Sequence, residues 1–175
     1  MKMSRLLAVL ALVVSAPQAF AELLNDVQPK FEQYHVDIYH GVLHPLKGYS
    51  KDRDGYWRDS NGKTVDAPEI NFAGSYYISA HSCGTGCRYY TMNSMITGEE
   101  SDVLRMFAST EPPPRTKEGY PFITELVTKA DSRMIVARYI IEAGDKQLCR
   151  ERIFLLDEKN RITPITKTQQ TTCRD

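Results

Sequence analysis

Residues 75–96 read SYYISAHSCGTGCRYYTMNSMI. From Ser75 to Ser82 the residues alternate, so that Tyr76, Ile78 and Ala80 fall on one face of a strand and Tyr77, Ser79 and His81 on the other. Cys83-Gly84-Thr85-Gly86-Cys87 comes next, and its two glycines tolerate the backbone angles of a tight reversal. Arg88 to Ile96 then runs back, and Thr97-Gly98-Glu99-Glu100 makes the following turn. Two β-rich stretches around a short loop with a cysteine at each end predict an antiparallel hairpin stapled near its tip.

Downstream, Asp102 to Phe107 is expected as a strand, and Thr110 to Tyr120, with three consecutive prolines, as an exposed extended loop. Strands are also expected over Phe122–Thr128, Arg133–Ile141, Cys149–Asp157 and Arg161–Thr166. Ala130-Asp131-Ser132, Gly144-Asp145-Lys146 and Glu158-Lys159-Asn160 are the turns between them. Upstream, Gln33 to Tyr39 alternates like a first strand, and residues 22–32 suit a short helix broken at Pro29. Residues 54–66 read as a hairpin turning at Asn61-Gly62. The acids Asp52, Asp54, Asp59 and Asp66 suggest a calcium loop, but with Gly62 at the glycine position Trp57 takes the first ligand place and Pro68 the last. A solvated hairpin is the better reading. Short strands at near-regular spacing, without long helical patterns, predict a mainly β fold. It is expected as an antiparallel meander or a strongly twisted or closed sheet, which would also hide strand edges, with a short N-terminal helix at most.

The N-terminus reads as an export signal. Lys2 and Arg5 precede an apolar run from Leu6 to Val14, and Ala19-Phe20-Ala21 offers small residues for cleavage after Ala21. The run is well short of the roughly 20 residues that span a bilayer. No cysteine follows the cut to receive a lipid. Residues 1–21 are therefore expected to be removed, leaving residues 22–175 as a single domain in the periplasm or outside the cell. The chain carries 22 basic and 22 acidic residues, and loss of Lys2 and Arg5 leaves a net charge of −2. Such a balance gives no electrostatic basis for nucleic-acid or membrane-surface binding.

Four cysteines in an exported chain favour two disulfides, for which three connectivities exist. The pairing nearest in sequence, Cys83–Cys87 with Cys149–Cys173, is preferred. Cys-x3-Cys is not the spacing of thiol oxidoreductases, and His81, Cys83 and Cys87 lack a fourth zinc ligand. No cofactor or metal is implied.

Asn71-Phe72-Ala73-Gly74-Ser75-Tyr76, then Cys83-Gly84-Thr85-Gly86-Cys87 and Thr97-Gly98, resembles a pattern in a group of secreted Gram-negative proteins. There an N-F-A-G-x-Y strand runs into a cysteine turn and a hairpin ending in T-G. Ser75 departs from a histidine in that pattern, and His81-Ser82 from tryptophan-glycine. The resemblance, centred on residues 70–100, implies an exported β domain and transfers no activity. By a looser analogy, periplasmic lysozyme inhibitors present a short disulfide-closed loop containing a histidine, and here His81 sits just outside such a loop.

Neither G-x-S-x-G nor H-E-x-x-H occurs, and His35, His40, His44 and His81 are the only histidines. The acids Glu99-Glu100 fall in a turn and read as solvated surface. The candidate binding residues are Gly84, Thr85 and Gly86 in the cysteine turn, with His81, Tyr77 and Tyr89 beside it. A closed loop flanked by aromatic residues suits recognition of another protein, because little freedom is lost on binding. The expected function is a periplasmic protein that binds a protein partner, such as an inhibitor of, or immunity protein against, a cell-wall-degrading enzyme. The alternatives are a small enzyme acting on envelope material, using His81 and a nearby acid, and a structural envelope component.

Overall fold

A computed structural model describes residues 28–173. The expected signal peptide lies outside the described residues, as does most of the expected N-terminal helix. Ten strands form the framework of the fold. They are β1 (Ser50–Lys51), β2 (Trp57–Arg58), β3 (Tyr76–Gly84), β4 (Cys87–Ser94), β5 (Glu100–Ser101), β6 (Phe122–Val127), β7 (Met134–Ala143), β8 (Lys146–Leu156), β9 (Ile162–Pro164) and β10 (Gln169–Thr171). Every pairing between them is antiparallel. The fold is mainly β, as expected, and its strands form open sheets rather than a closed barrel.

β3, β4 and β5 form one sheet, with Tyr76 opposite Ser94 and Ser82 opposite Arg88. A second sheet runs β6-β7-β8, and both β9 and β10 pair with β8. They occupy different stretches of it: β10 lies along Cys149–Glu151 and β9 along Phe154–Leu156. Thr166 fills the space between, where its hydroxyl accepts from the Ile153 N–H at 2.9 Å and its carbonyl from Arg152 Nε at 3.1 Å.

The main core lies between the two sheets. Ile78, Tyr90 and Met92 of the first face Ile135, Ala137, Phe154 and Leu156 of the second, with Phe72, Leu104 and Phe107 closing the sides. Leu104 and Phe107 are buried because Arg105–Phe107 is a 3-10 turn rather than the end of a strand. Residues three apart share a face in that geometry, so both side chains point inward. The strand expected over Asp102–Phe107 therefore does not form, and the short β5, Glu100–Ser101, lies before it, starting in the expected turn Thr97–Glu100. Full burial of each such side chain contributes about 1.5–3 kcal/mol.

The sheets also meet at an edge. The Tyr90 hydroxyl donates to the Thr124 carbonyl at 2.8 Å, and the Thr124 N–H donates to Ser109 Oγ. Side chains thereby satisfy the outer backbone groups of β6 at its middle.

The N-terminal stretch departs from expectation. Phe31–Tyr34 is a 3-10 turn, and Gln33–Tyr39 is not a strand. After the turn the chain is held by scattered bonds: Val36 N–H to Asp131 O, Tyr39 N–H to Gly74 O, and a bridge between His35 and Ser132. Its backbone lies so close to Gly74 that a Cβ there would come within 2.2 Å of the Asp37 carbonyl oxygen. With a φ of +75° as well, that position requires glycine.

Candidate functional site

The disulfides join Cys83 to Cys87 and Cys149 to Cys173, leaving no free thiol. The first closes the tip of the β3–β4 hairpin, where Ser82 to Gly86 are all exposed. Of the sequence-predicted binding residues, Gly84, Thr85 and Gly86 therefore face solvent together. The others do not. His81 is 5% exposed and Tyr77 1%, and Tyr89 is half-buried, stacked on His81 at 4.7 Å.

The inward turn of His81 and Tyr77 has a physical cause. The strand face bearing Tyr77, Ser79 and His81 is covered by residues 44–66, which include the 54–66 hairpin read from sequence as solvated. A hairpin does form there: Asp59 N–H donates to Lys63 O and Val65 N–H to Trp57 O, around Asn61-Gly62. Its strand β2 pairs with β1, and the turn that follows β2 is joined to β3 through Asp59 and His81. Leu46, Tyr77 and Met95 form a second small core beneath it. The Tyr77 hydroxyl donates to the Asp66 carbonyl at 2.7 Å, and burial pushes its pKa up to about 12, so it remains a donor.

Asp59 is the residue sequence reasoning missed. One carboxylate oxygen accepts the N–H groups of Asn61 and Lys63, each at 2.9 Å, which is ordinary aspartate turn chemistry. The other lies 2.7 Å from His81 Nδ1, with the Asp59 and His81 side chains 1% and 5% exposed. Burial pushes this carboxyl up, but the hydrogen bonds from His81, Lys63 and Asn61 outweigh it and hold the pKa below the usual value. An ionised carboxylate only accepts, so Nδ1 of His81 carries the proton. The signal in the sequence was a turn aspartate (Asp-Ser-Asn-Gly) able to bind backbone with one oxygen and leave the other for a distant partner.

On the opposite side, His81 Nε2 meets Thr91 Oγ1 at 2.9 Å. Carboxylate, imidazole and hydroxyl are thus aligned as in nucleophilic hydrolases. The hydroxyl, however, is already enclosed. Tyr49 O–H lies 3.1 Å away and Asn93 Nδ2 3.4 Å, so Thr91 Oγ1 has three polar neighbours inside the protein. No lone pair is left directed at a substrate. The array acts instead as a polar clamp that fixes the hairpin base to the 57–65 turn, with Asn61 Nδ2 donating to the Tyr89 hydroxyl at 3.0 Å.

The result is a short covalent ring of exposed small residues on two strands, anchored just below by a buried carboxylate–imidazole hydrogen bond. Among the described residues no helix is long and apolar enough to cross a membrane. The two disulfides are compatible with an oxidising compartment. No family model, curated protein or solved structure matches the chain.

Proposed function

We propose that this is an exported periplasmic protein that binds another protein through the disulfide-closed tip of the β3–β4 hairpin, as an inhibitor or immunity protein would. The single observation behind the reading is the contrast within one hairpin. Residues Ser82–Gly86 are exposed and Cys83 to Cys87 form a closed ring, while His81, immediately before them, is held by Asp59. Such a loop has little freedom left to lose on association, so more of the contact energy appears as affinity. Small residues at the tip let its backbone approach a partner closely. The buried state of His81 and Tyr77 restricts the contact surface to the tip and the outer edge of Tyr89.

Immobilised protein exposed to envelope extracts tests the reading. A partner retained by the wild type is expected to be lost with Thr85→Glu, a change at an open position that leaves the fold intact. Retention that is indifferent to both Thr85→Glu and Thr85→Trp would remove the tip from consideration.

A further inference from the structure

The core face of the second sheet continues beyond the part that the first sheet covers. The register places Phe122 opposite Ile141, Thr124 opposite Tyr139, and Leu126 opposite Ala137, so Tyr139 and Ile141 lie on the same face as Ala137 and Ile135. Ile135 and Ala137 are sealed under β4. Past the end of the hairpin, the proline-rich loop, with Met106 and Ala108 beside it, flanks Tyr139 and Ile141. Between loop and sheet is a cavity of about 550 Å3. That volume is within the range of small-molecule sites.

The cavity is apolar at the bottom and charged at the mouth. Phe122 and Tyr139 meet edge to face at 5.5 Å on its floor beside Ile141, and Met106, 61% exposed, forms one wall. Lys117, Arg150 and Glu118 stand at the rim. Glu118 lies 3.8 Å from Arg150, too far for a hydrogen bond, and both side chains are well exposed. The rim therefore carries one more positive than negative charge, and the guanidinium has donors available to a ligand.

We propose that this cavity binds a single-chain amphiphile with an anionic head, its apolar body over Tyr139 and Ile141 and its carboxylate or phosphate against Arg150 and Lys117. Apolar floor and cationic rim match the two ends of such a molecule. The site is independent of the hairpin tip, and Thr85→Glu leaves it unchanged.

The test is a fluorescence titration of the purified protein with 11-(dansylamino)undecanoate, followed by competition below micellar concentrations. Saturable binding is expected, with displacement by dodecanoate and not by dodecyltrimethylammonium. Displacement by dodecyl phosphate as well assigns anionic heads in general, and displacement by dodecanoate alone assigns carboxylates. The double variant Lys117→Gln, Arg150→Gln is expected to bind about tenfold more weakly, the effect of losing a charge-assisted contact. In the wild type, the methyl resonances of Ile141 and Met106 should move on addition of dodecanoate. Absence of saturable binding overturns the proposal. So does equal displacement by the cationic amphiphile, or movement of the Ile123 and Ile140 methyls on the opposite sheet face with Ile141 unmoved.

Discussion

The two disulfides differ in what they hold. Cys83–Cys87 spans a sequence separation of 4 at an exposed tip, whereas Cys149–Cys173 spans 24 and starts from a cysteine only 2% exposed. The long bridge ties down residues that have little else. β10 is Gln-Gln-Thr, without an apolar side chain, and its three backbone pairs to β8 are all that its own sequence supplies. The hairpin tip, by contrast, is already positioned by eight cross-strand pairs and by the Asp59–His81 clamp. One bridge thus holds the C-terminal tail on the second sheet, and the other removes residual motion from a segment the fold has already placed.

Loop-closure entropy gives this contrast a scale of about 3.5 kcal/mol for the long bridge and about 2 kcal/mol for the short one. Urea unfolding of Cys149→Ser, Cys173→Ser should show the larger loss, with hydrogen exchange rising throughout residues 162–173. A uniform loss of protection across both sheets instead would make the bridge essential to the whole fold rather than to its tail.

The clamp comes next in size. Asp59→Asn turns an amide N–H2 toward one of three donors, which costs about 2–3 kcal/mol near neutral pH. The wild-type contribution depends on pH with a definite sign. Because the folded pKa of Asp59 is depressed, the stabilisation is fully present above the ordinary carboxylate value of about 3.9 and is lost as the pH falls through the lower folded value. Stability curves of wild type and Asp59→Asn should therefore converge in acid. Parallel curves down to pH 2.5 or so would show that the carboxylate contributes no charge-dependent stabilisation.

Replacing both tip cysteines by serine should cost about 2 kcal/mol and raise hydrogen exchange only from Ser82 to Arg88. If the change also exposes His81 and Tyr89 to exchange, the bridge, and not the clamp, is what fixes the hairpin base. The smallest effect belongs to Tyr90→Phe, which removes one hydrogen bond between the sheets for about 1 kcal/mol.

Much of this arrangement was readable in the amino-acid order, and the exceptions share a cause. Strands β3, β4, β6, β7 and β8 announce themselves by β-rich stretches set between turn residues, whereas the alternation of Gln33–Tyr39 misleads, and both disulfides pair as their spacing suggests. β10 carries no hydrophobic signal, since its place depends on backbone pairing and on Cys173. Val103 to Phe107 has strand-forming residues, but Leu104 and Phe107 stand three apart, the spacing of the 3-10 turn they occupy. At the candidate site, alternation correctly set Tyr77 and His81 on one face. It could not say that residues 44–66 would cover that face, because that segment is polar and its acids look solvated. Asp59 reaches His81 across 22 positions, a distance at which local pattern says nothing.

The long bridge has a further consequence, for a protein that meets proteases. The exposed turn at Glu158–Asn160 lies between Cys149 and Cys173, so a cut after Lys159 would leave two peptides still joined covalently, with β9 and β10 kept beside β8. A cut after the equally exposed Lys146 would sever the β7–β8 connection outside that ring. The same enzyme would thus produce a silent nick at one turn and a separated fragment at the other.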